Sequence, residues 1–383
     1  MTEPTPPTQE PDGPPGTTGA ATGDPAETGD LAQPQGPAPS DGPAPSDRPA
    51  PVAGREEVPG PAHDRDPEET LDTVPPDDFA EATGYEPMTS VGREVAVRAL
   101  AVLVGAIAAF GVWACWRVFV GTHEGQLLDQ AAYEGAEFGR NELWLVAEPV
   151  LDVISVPFVG TVLGVAVVVA LIKRRWLLAA QTALLIAGAN ASGQILKYLV
   201  FERPDLEVGD QLPNSLPSGH TIAATSCAVA LVLVAPRGWR AALAVLGALY
   251  AAGTGVSTLV GKWHRPGDVV AALLVVLAWT CLVRALGPSG SRGTRAQHRR
   301  ESSAASLLVA GAVVAGGVAA LALTRTLDAL AKVEDQHHST GLESRGDLLT
   351  AYGGGALGVV AVCLAVFGAV LVVLRVTEPG GET

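Results

Sequence analysis

Three short stretches of this chain hold nearly all of its reactive side chains. The first is Lys197-Tyr-Leu-Val-Phe-Glu-Arg203-Pro204, the second Pro217-Ser218-Gly219-His220, and the third runs from Ser257 through Lys262 and His264 to Asp268. Their residue types suit the handling of a phosphoryl group. Such a group in transfer spreads negative charge over its equatorial oxygens, and stabilising that charge is most of the catalytic task. Lys197 offers a point charge, and Arg203 a planar fork matched to phosphate oxygens. Ser218-Gly219 stands where a loop enters an apolar stretch. A helix starting there presents free N–H groups and the positive end of its dipole to an anion. His220 and His264 lie at the ends of apolar stretches, where a protonatable imidazole meets water. Asp268 follows His264 by four residues, so on a helix the two share a face. That carboxylate would hold the imidazole in the tautomer that leaves its other nitrogen nucleophilic. Two histidines and one carboxylate suffice for a double displacement, in which one histidine attacks phosphorus and the other protonates the leaving alkoxide and then activates water.

Taken singly, each piece has an ordinary structural role. Histidines sit at membrane interfaces for their amphipathic character, Lys and Arg near span ends snorkel, and Pro-Ser-Gly makes turns. Their joint occurrence in loops predicted on one side of a membrane is far less expected by chance.

The elements that must position these residues are long and apolar. A helix needs roughly 20 apolar residues to cross a bilayer core. Stretches that qualify begin near Val95, Leu145, Trp176, Thr221, Ala241, Val269, Ser306 and Tyr352, which predicts eight spans. No strand alternation competes with them. The expected fold is an all-α polytopic membrane helix bundle with a core over 91–288. A basic loop over 289–304, two additional spans over 305–376 and a short tail over 377–383 follow. Arg93 and Arg98, Lys173 to Arg175, Arg237 and Arg240, Arg292 to Arg300, and Arg375 alternate onto one side. By the excess of Lys and Arg in short inner loops, that side and both termini are cytoplasmic. The loops near Gly121–Trp144, Lys197–His220, Gly261–Asp268 and Arg325–Thr350 then face out. Two of them carry basic residues, Lys197 and Arg203 in one and Lys262 and Arg265 in the other, on the side where the rule disfavours them, which suggests interfacial anchoring or work other than setting topology.

Residues 1–90 differ in kind. They carry 19 Asp and Glu against 3 Arg, a balance of −16 beside −15 for the whole chain, so the remainder sums to +1. Gly36 to Asp47 reads GPAPSD twice. Such a segment has too little apolar surface to offset the entropy of ordering and is read as a disordered tail. Met1 is not followed by a basic n-region and short apolar run, so no secretory signal is expected. Cys115, Cys227, Cys281 and Cys363 all fall inside apolar runs and are expected as buried, unpaired thiols. Glu148 and Asp152, and Asn190 and Gln194 with Lys197, follow helical spacing and are read as interhelical hydrogen-bonding groups or support for the site. His337 and His338 are adjacent and receive no role.

The three reactive stretches resemble the tripartite signature of the type 2 phosphatidic acid phosphatases, in the superfamily that also includes the vanadium haloperoxidases. The family pattern is Lys, an Arg-Pro several residues later, Pro-Ser-Gly-His, then Ser-Arg-(five)-His-(three)-Asp. The likeness covers Lys197 to Asp268 directly and implies a six-span phosphatase core from about Val95 to Leu286. It implies His264 as the nucleophile forming a phosphohistidine, Asp268 as its orienter and His220 as the general acid. Lys197, Arg203, Ser218 and Gly219 would bind phosphate, and no metal or other cofactor is implied. Two departures stand out. Five residues separate Lys197 from Arg203 where the usual pattern has six, and Thr258 stands where the pattern has Arg. Lys262 is taken as the substitute for that arginine. The implied partners are the lipid bilayer and a lipid phosphate substrate such as phosphatidic acid, phosphatidylglycerophosphate or a polyprenyl diphosphate. No nucleic-acid partner is expected, and no motif bears on oligomeric state. Two other functions share the pocket: a catalytically weak lipid-phosphate binding or transport protein, favoured by Thr258, and a vanadium-dependent haloperoxidase, disfavoured by the spans.

Overall fold

The structure is a computed structural model that describes residues 90–377, apart from 139, most of 153–173, 210–212, 288–293 and 334–338. The acidic tail over 1–89, His337 and His338 lie outside the described residues, as does the side chain of Asp152. All described residues belong to one compact unit, Val74–Thr383.

Among them nine helices and no strand occur. α1 (Ser90–Cys115) passes into a π-helical turn, Trp116–Val120. α2 (His123–Gly135) and α3 (Arg140–Asp152) follow. α4 (Trp176–Ile195) ends in a second π turn, Leu196–Val200. α5 (Gly219–Val234), α6 (Arg237–Val260) and α7 (Pro266–Ala285) come next. α8 (Arg295–Leu330) and α9 (Arg345–Val376) complete the chain.

Six helical segments are long and apolar enough to cross a membrane: Glu94–Val120, Trp176–Val200, Arg237–Val260, Pro266–Ala285, Arg295–Leu330 and Arg345–Val376. They correspond to six of the eight expected spans, and the chain is a polytopic membrane helix bundle. The span expected from Thr221 is α5, which has 16 residues and reaches about 24 Å at 1.5 Å per residue. Thirteen of those residues are buried, so α5 is solvated by other helices and does not need full lipid-facing length. Of the span expected from Leu145, only its beginning in α3 is described in continuous form.

α5 and α7 form the centre, with Val229, Val232, Val269, Leu273 and Val276 fully buried. α1 packs on α7, α5 on α6, and α8 along α9. α9 also packs against α2, α6 and α7. The last two helices are therefore joined to the central bundle by extensive packing: Phe367 of α9 is wholly buried against Gly247 of α6. All four cysteines are free and buried.

Two segments read as loops are helical. The basic stretch over 289–304 is helix from Arg295 onward, because Thr294 and Gln297 form a reciprocal capping box ahead of the apolar run. The outer loop Gly121–Trp144 contains α2, which starts where Thr122 Oγ1 accepts the Gly125 N–H at 3.1 Å. Glycines let this short helix sit close to its neighbours. A Cβ at Gly125 would strike the Val118 carbonyl, and one at Gly135 the Leu348 carbonyl.

Candidate active site

Local chemistry at the helix ends brings the three reactive stretches together. Gly261 caps α6, and Lys262 adopts φ 56°, the left-handed region that reverses the chain within a residue or two. The Thr258 carbonyl accepts from the N–H groups of Trp263 and His264 at 3.0 and 3.3 Å, which fixes the turn against the helix it leaves. Pro266 then opens α7 at a position that requires no N–H donor.

His264 is 7% exposed and Asp268 2%. His264 Nδ1 lies 3.1 Å from Asp268 Oδ2, so Nδ1–H donates to the carboxylate and Nε2 is left as the basic nitrogen. The same Oδ2 accepts from Ser215 Oγ at 2.7 Å and from the Arg265 N–H at 3.0 Å. Three donors on one buried oxygen fix the carboxylate, and through it the imidazole. Ser215 was not anticipated as a partner, and no pattern around it signals the role. The second stretch is tied to the third by a bond from the Ser218 N–H to the Asp268 carbonyl at 3.0 Å.

Ser218 is the N-cap of α5 and fully buried, and its hydroxyl accepts from Thr221 N–H and Oγ1 at 3.4 and 3.0 Å. The hydroxyl expected to touch phosphate caps the helix through its oxygen and keeps its own hydrogen to donate, while Gly219 and His220 hold the open first turn of the helix. The His220 ring, half-buried, lies tilted on Trp263 with centroids 5.3 Å apart. Lys197 sits in the π turn that closes α4. Asn214 pins the following loop to that turn, donating to the Lys197 and Leu216 carbonyls at 3.2 and 2.8 Å. π turns of this kind recur at functional sites, and this one carries Lys197. His220, on the Trp263 ring, thus lies against the residue that precedes His264 in the chain.

Arg203 and Arg265 form a second cluster with α2. Arg203 Nη2 donates to Gln126 Oε1 at 3.2 Å, and Arg265 Nη2 to Gln130 Oε1 at 3.0 Å. Between them on the same helix, Asp129 accepts the Gly267 N–H at 3.1 Å. Burial first, then the neighbouring Asp268, pushes the Asp129 carboxyl up to about 7, against the pull of Arg265, the Gly267 N–H and Arg203. Burial and Arg265 draw the Arg203 guanidinium below its usual value, with Asp129 and Asp268 opposing.

Lys262, expected in place of the missing arginine, is brought to Glu137 at 3.4 Å and to the Tyr133 ring at 4.7 Å. Thr258 itself is fully buried and its hydroxyl bonds to the Gly255 carbonyl at 2.7 Å. Asn190 donates to Ser226 of α5 at 3.3 Å, an interhelical bond as its spacing suggested. Glu148 and Gln194 are exposed. Gln126, Asp129 and Gln130 were missed by sequence reasoning. Their i, i+3, i+4 spacing was the available signal.

The Asp129 environment makes a pH-dependent prediction. A carboxyl held above its unfolded value favours folding at low pH, and that contribution is lost as pH rises from about 4 through about 7. Asp129→Asn, which keeps the acceptor for Gly267, is expected to melt above the wild type at pH 8 and to converge with it toward pH 4. Thermal unfolding in detergent at several pH values measures this; a gap that widens toward acid contradicts it.

Residues 176–291 match the family model of the PAP2 superfamily. That segment holds α4 to α7 and all three reactive stretches, so the chain is consistent with a member of the type 2 phosphatidic acid phosphatase family, as the resemblance implied. The match and the apolar helices together support a membrane protein of the phosphatase type. α1, α2, α3, α8 and α9 lie outside the matched segment. No curated protein and no solved structure matches the chain.

Proposed function

We propose that the protein is a lipid phosphate phosphatase of the cell membrane whose site faces the extracytoplasmic side. The observation that carries this is the buried His264–Asp268 pair at 3.1 Å, set beside His220 at the ends of membrane helices. His264 Nε2 attacks phosphorus, the bond from phosphorus to the lipid oxygen breaks, and His220 gives its proton to that oxygen. Neutral His220 then takes a proton from water as the water oxygen attacks the phosphohistidine, the P–N bond breaks and inorganic phosphate leaves. Lys197, Arg203 and the first-turn N–H groups of α5 carry the phosphoryl charge. A site at the bilayer edge lets the head group reach His264 while the apolar tails stay in the membrane.

The test is phosphate release by the purified protein in detergent, from phosphatidic acid, phosphatidylglycerophosphate and a polyprenyl diphosphate, with a metal chelator present. Release from at least one supports the reading, and release from none of them counts for a binding protein. Short-chain, water-soluble phosphatidic acid added to intact cells tests the orientation. Hydrolysis without lysis supports an outward site, and hydrolysis only after lysis reverses it.

A further inference from the structure

The matched segment lacks one cation that the chemistry needs. Thr258 is neutral and fully buried, and Lys262 is engaged with Glu137 and Tyr133. Arg265, the residue after the proposed nucleophile, shares the Tyr133 ring with Lys262 but bonds a neutral amide where Lys262 meets a carboxylate. It is 3% exposed, its Nη2 donates to Gln130, and its plane lies over the Tyr133 ring at 5.0 Å. We infer that Arg265, held by α2, binds the substrate phosphoryl group together with Arg203 and so supplies the charge that Thr258 cannot.

Several independent features support this assignment, which rests on the phosphatase reading. The acceptors that hold the two guanidiniums are neutral. Gln126 and Gln130 stand one helical turn apart, each taking one Nη2, so they orient the forks without cancelling their charge. A glutamate at either place would have formed a closed ion pair. Arg265 Nε is buried with no hydrogen-bond partner, a donor left unsatisfied where such groups are costly. Burial and then the charge of Arg265 draw the Arg203 guanidinium below its usual value, and an anion shared by the two forks would relieve that repulsion. Of the two carboxylates facing them, Asp268 already accepts three hydrogen bonds at one oxygen, from His264, Ser215 and the Arg265 N–H. Asp129, the other, accepts the Gly267 N–H and takes up a proton near neutrality. With Asp129 protonated the cluster carries surplus positive charge, part of it on the residue that follows His264 in the chain. Gln126, Gln130 and Tyr133 act as positioning residues through the arginines. This gives α2, which lies outside the matched segment, a part in the site.

Binding of inorganic phosphate to the full chain in detergent tests the assignment, read by the phosphate-dependent rise in melting temperature, beside phosphate release from phosphatidic acid. Arg265→Ala is expected to weaken phosphate binding by about 10- to 100-fold, the range of a lost charge-assisted contact. Its melting temperature without phosphate controls for folding. Arg265→Lys keeps the charge but not the fork and is expected to fall between the two; it decides the matter if the alanine variant does not fold. Gln130→Leu is expected to raise KM several-fold with kcat nearly unchanged. Wild-type turnover with phosphate affinity unchanged in Arg265→Ala, or in a folded Arg265→Lys standing alone, overturns the assignment and leaves the phosphatase reading intact. No turnover, but an affinity lost with Arg265, overturns the phosphatase reading and keeps the anion site.

Discussion

His264→Ala is expected to reduce phosphate release by at least about 10⁴-fold, to the level of a site that binds but does not react. Removing a nucleophile from a covalent mechanism leaves only what positioning and charge stabilisation contribute. The expectation is specific because of where His264 sits. Its Nδ1 is committed to Asp268 at 3.1 Å and its ring is 7% exposed, so only Nε2 is available to a substrate. The alanine variant should still bind inorganic phosphate, since the cations belong to other residues. A variant that keeps a tenth of wild-type activity contradicts the role, and steady-state release from phosphatidic acid is sufficient to see it.

Asp268→Asn carries the second large effect, a fall in kcat of about 10³- to 10⁴-fold, by analogy with the loss of a buried tautomer-setting carboxylate in other histidine-based sites. An amide oxygen standing where Oδ2 stands can still accept from Ser215 Oγ, the Arg265 N–H and His264 Nδ1. What the variant loses is the negative charge that makes Nε2 more basic and offsets the positive charge the ring takes on as Nε2 bonds to phosphorus. The melting temperature should fall as well, because a buried carboxylate that caps α7 and holds the His264 turn has been neutralised. A variant with normal kcat and lowered stability would reduce Asp268 to a cap.

Much of the site was legible because its parts are local. Pro217 to His220 marks a helix start by composition alone, and His264 to Asp268 marks a helix face by spacing alone. The apolar spans were equally plain, since lipid-facing helices read as continuous hydrophobic runs. α2 was not legible as part of the site, for a physical reason. Its Gln126, Asp129 and Gln130 have the spacing of a solvated polar face, yet all three are buried against Arg203, Arg265 and Gly267. A polar stripe signals water or partners alike, and the partners lie some 75 to 140 residues further along the chain. Helical spacing pointed to Lys262 for the place left by Thr258; at the left-handed turn its side chain meets Glu137, while Arg265 is the buried cation of this stretch.

The reading of this protein turns on a covalent phosphohistidine, and trapping it is the most direct test. Wild-type protein mixed with phosphatidic acid labelled in its phosphate, quenched within milliseconds in base and digested, should yield a base-stable, acid-labile label on the peptide containing His264. The label should be absent from His264→Ala. Turnover without any bound label, or label on a residue other than His264, would contradict the account.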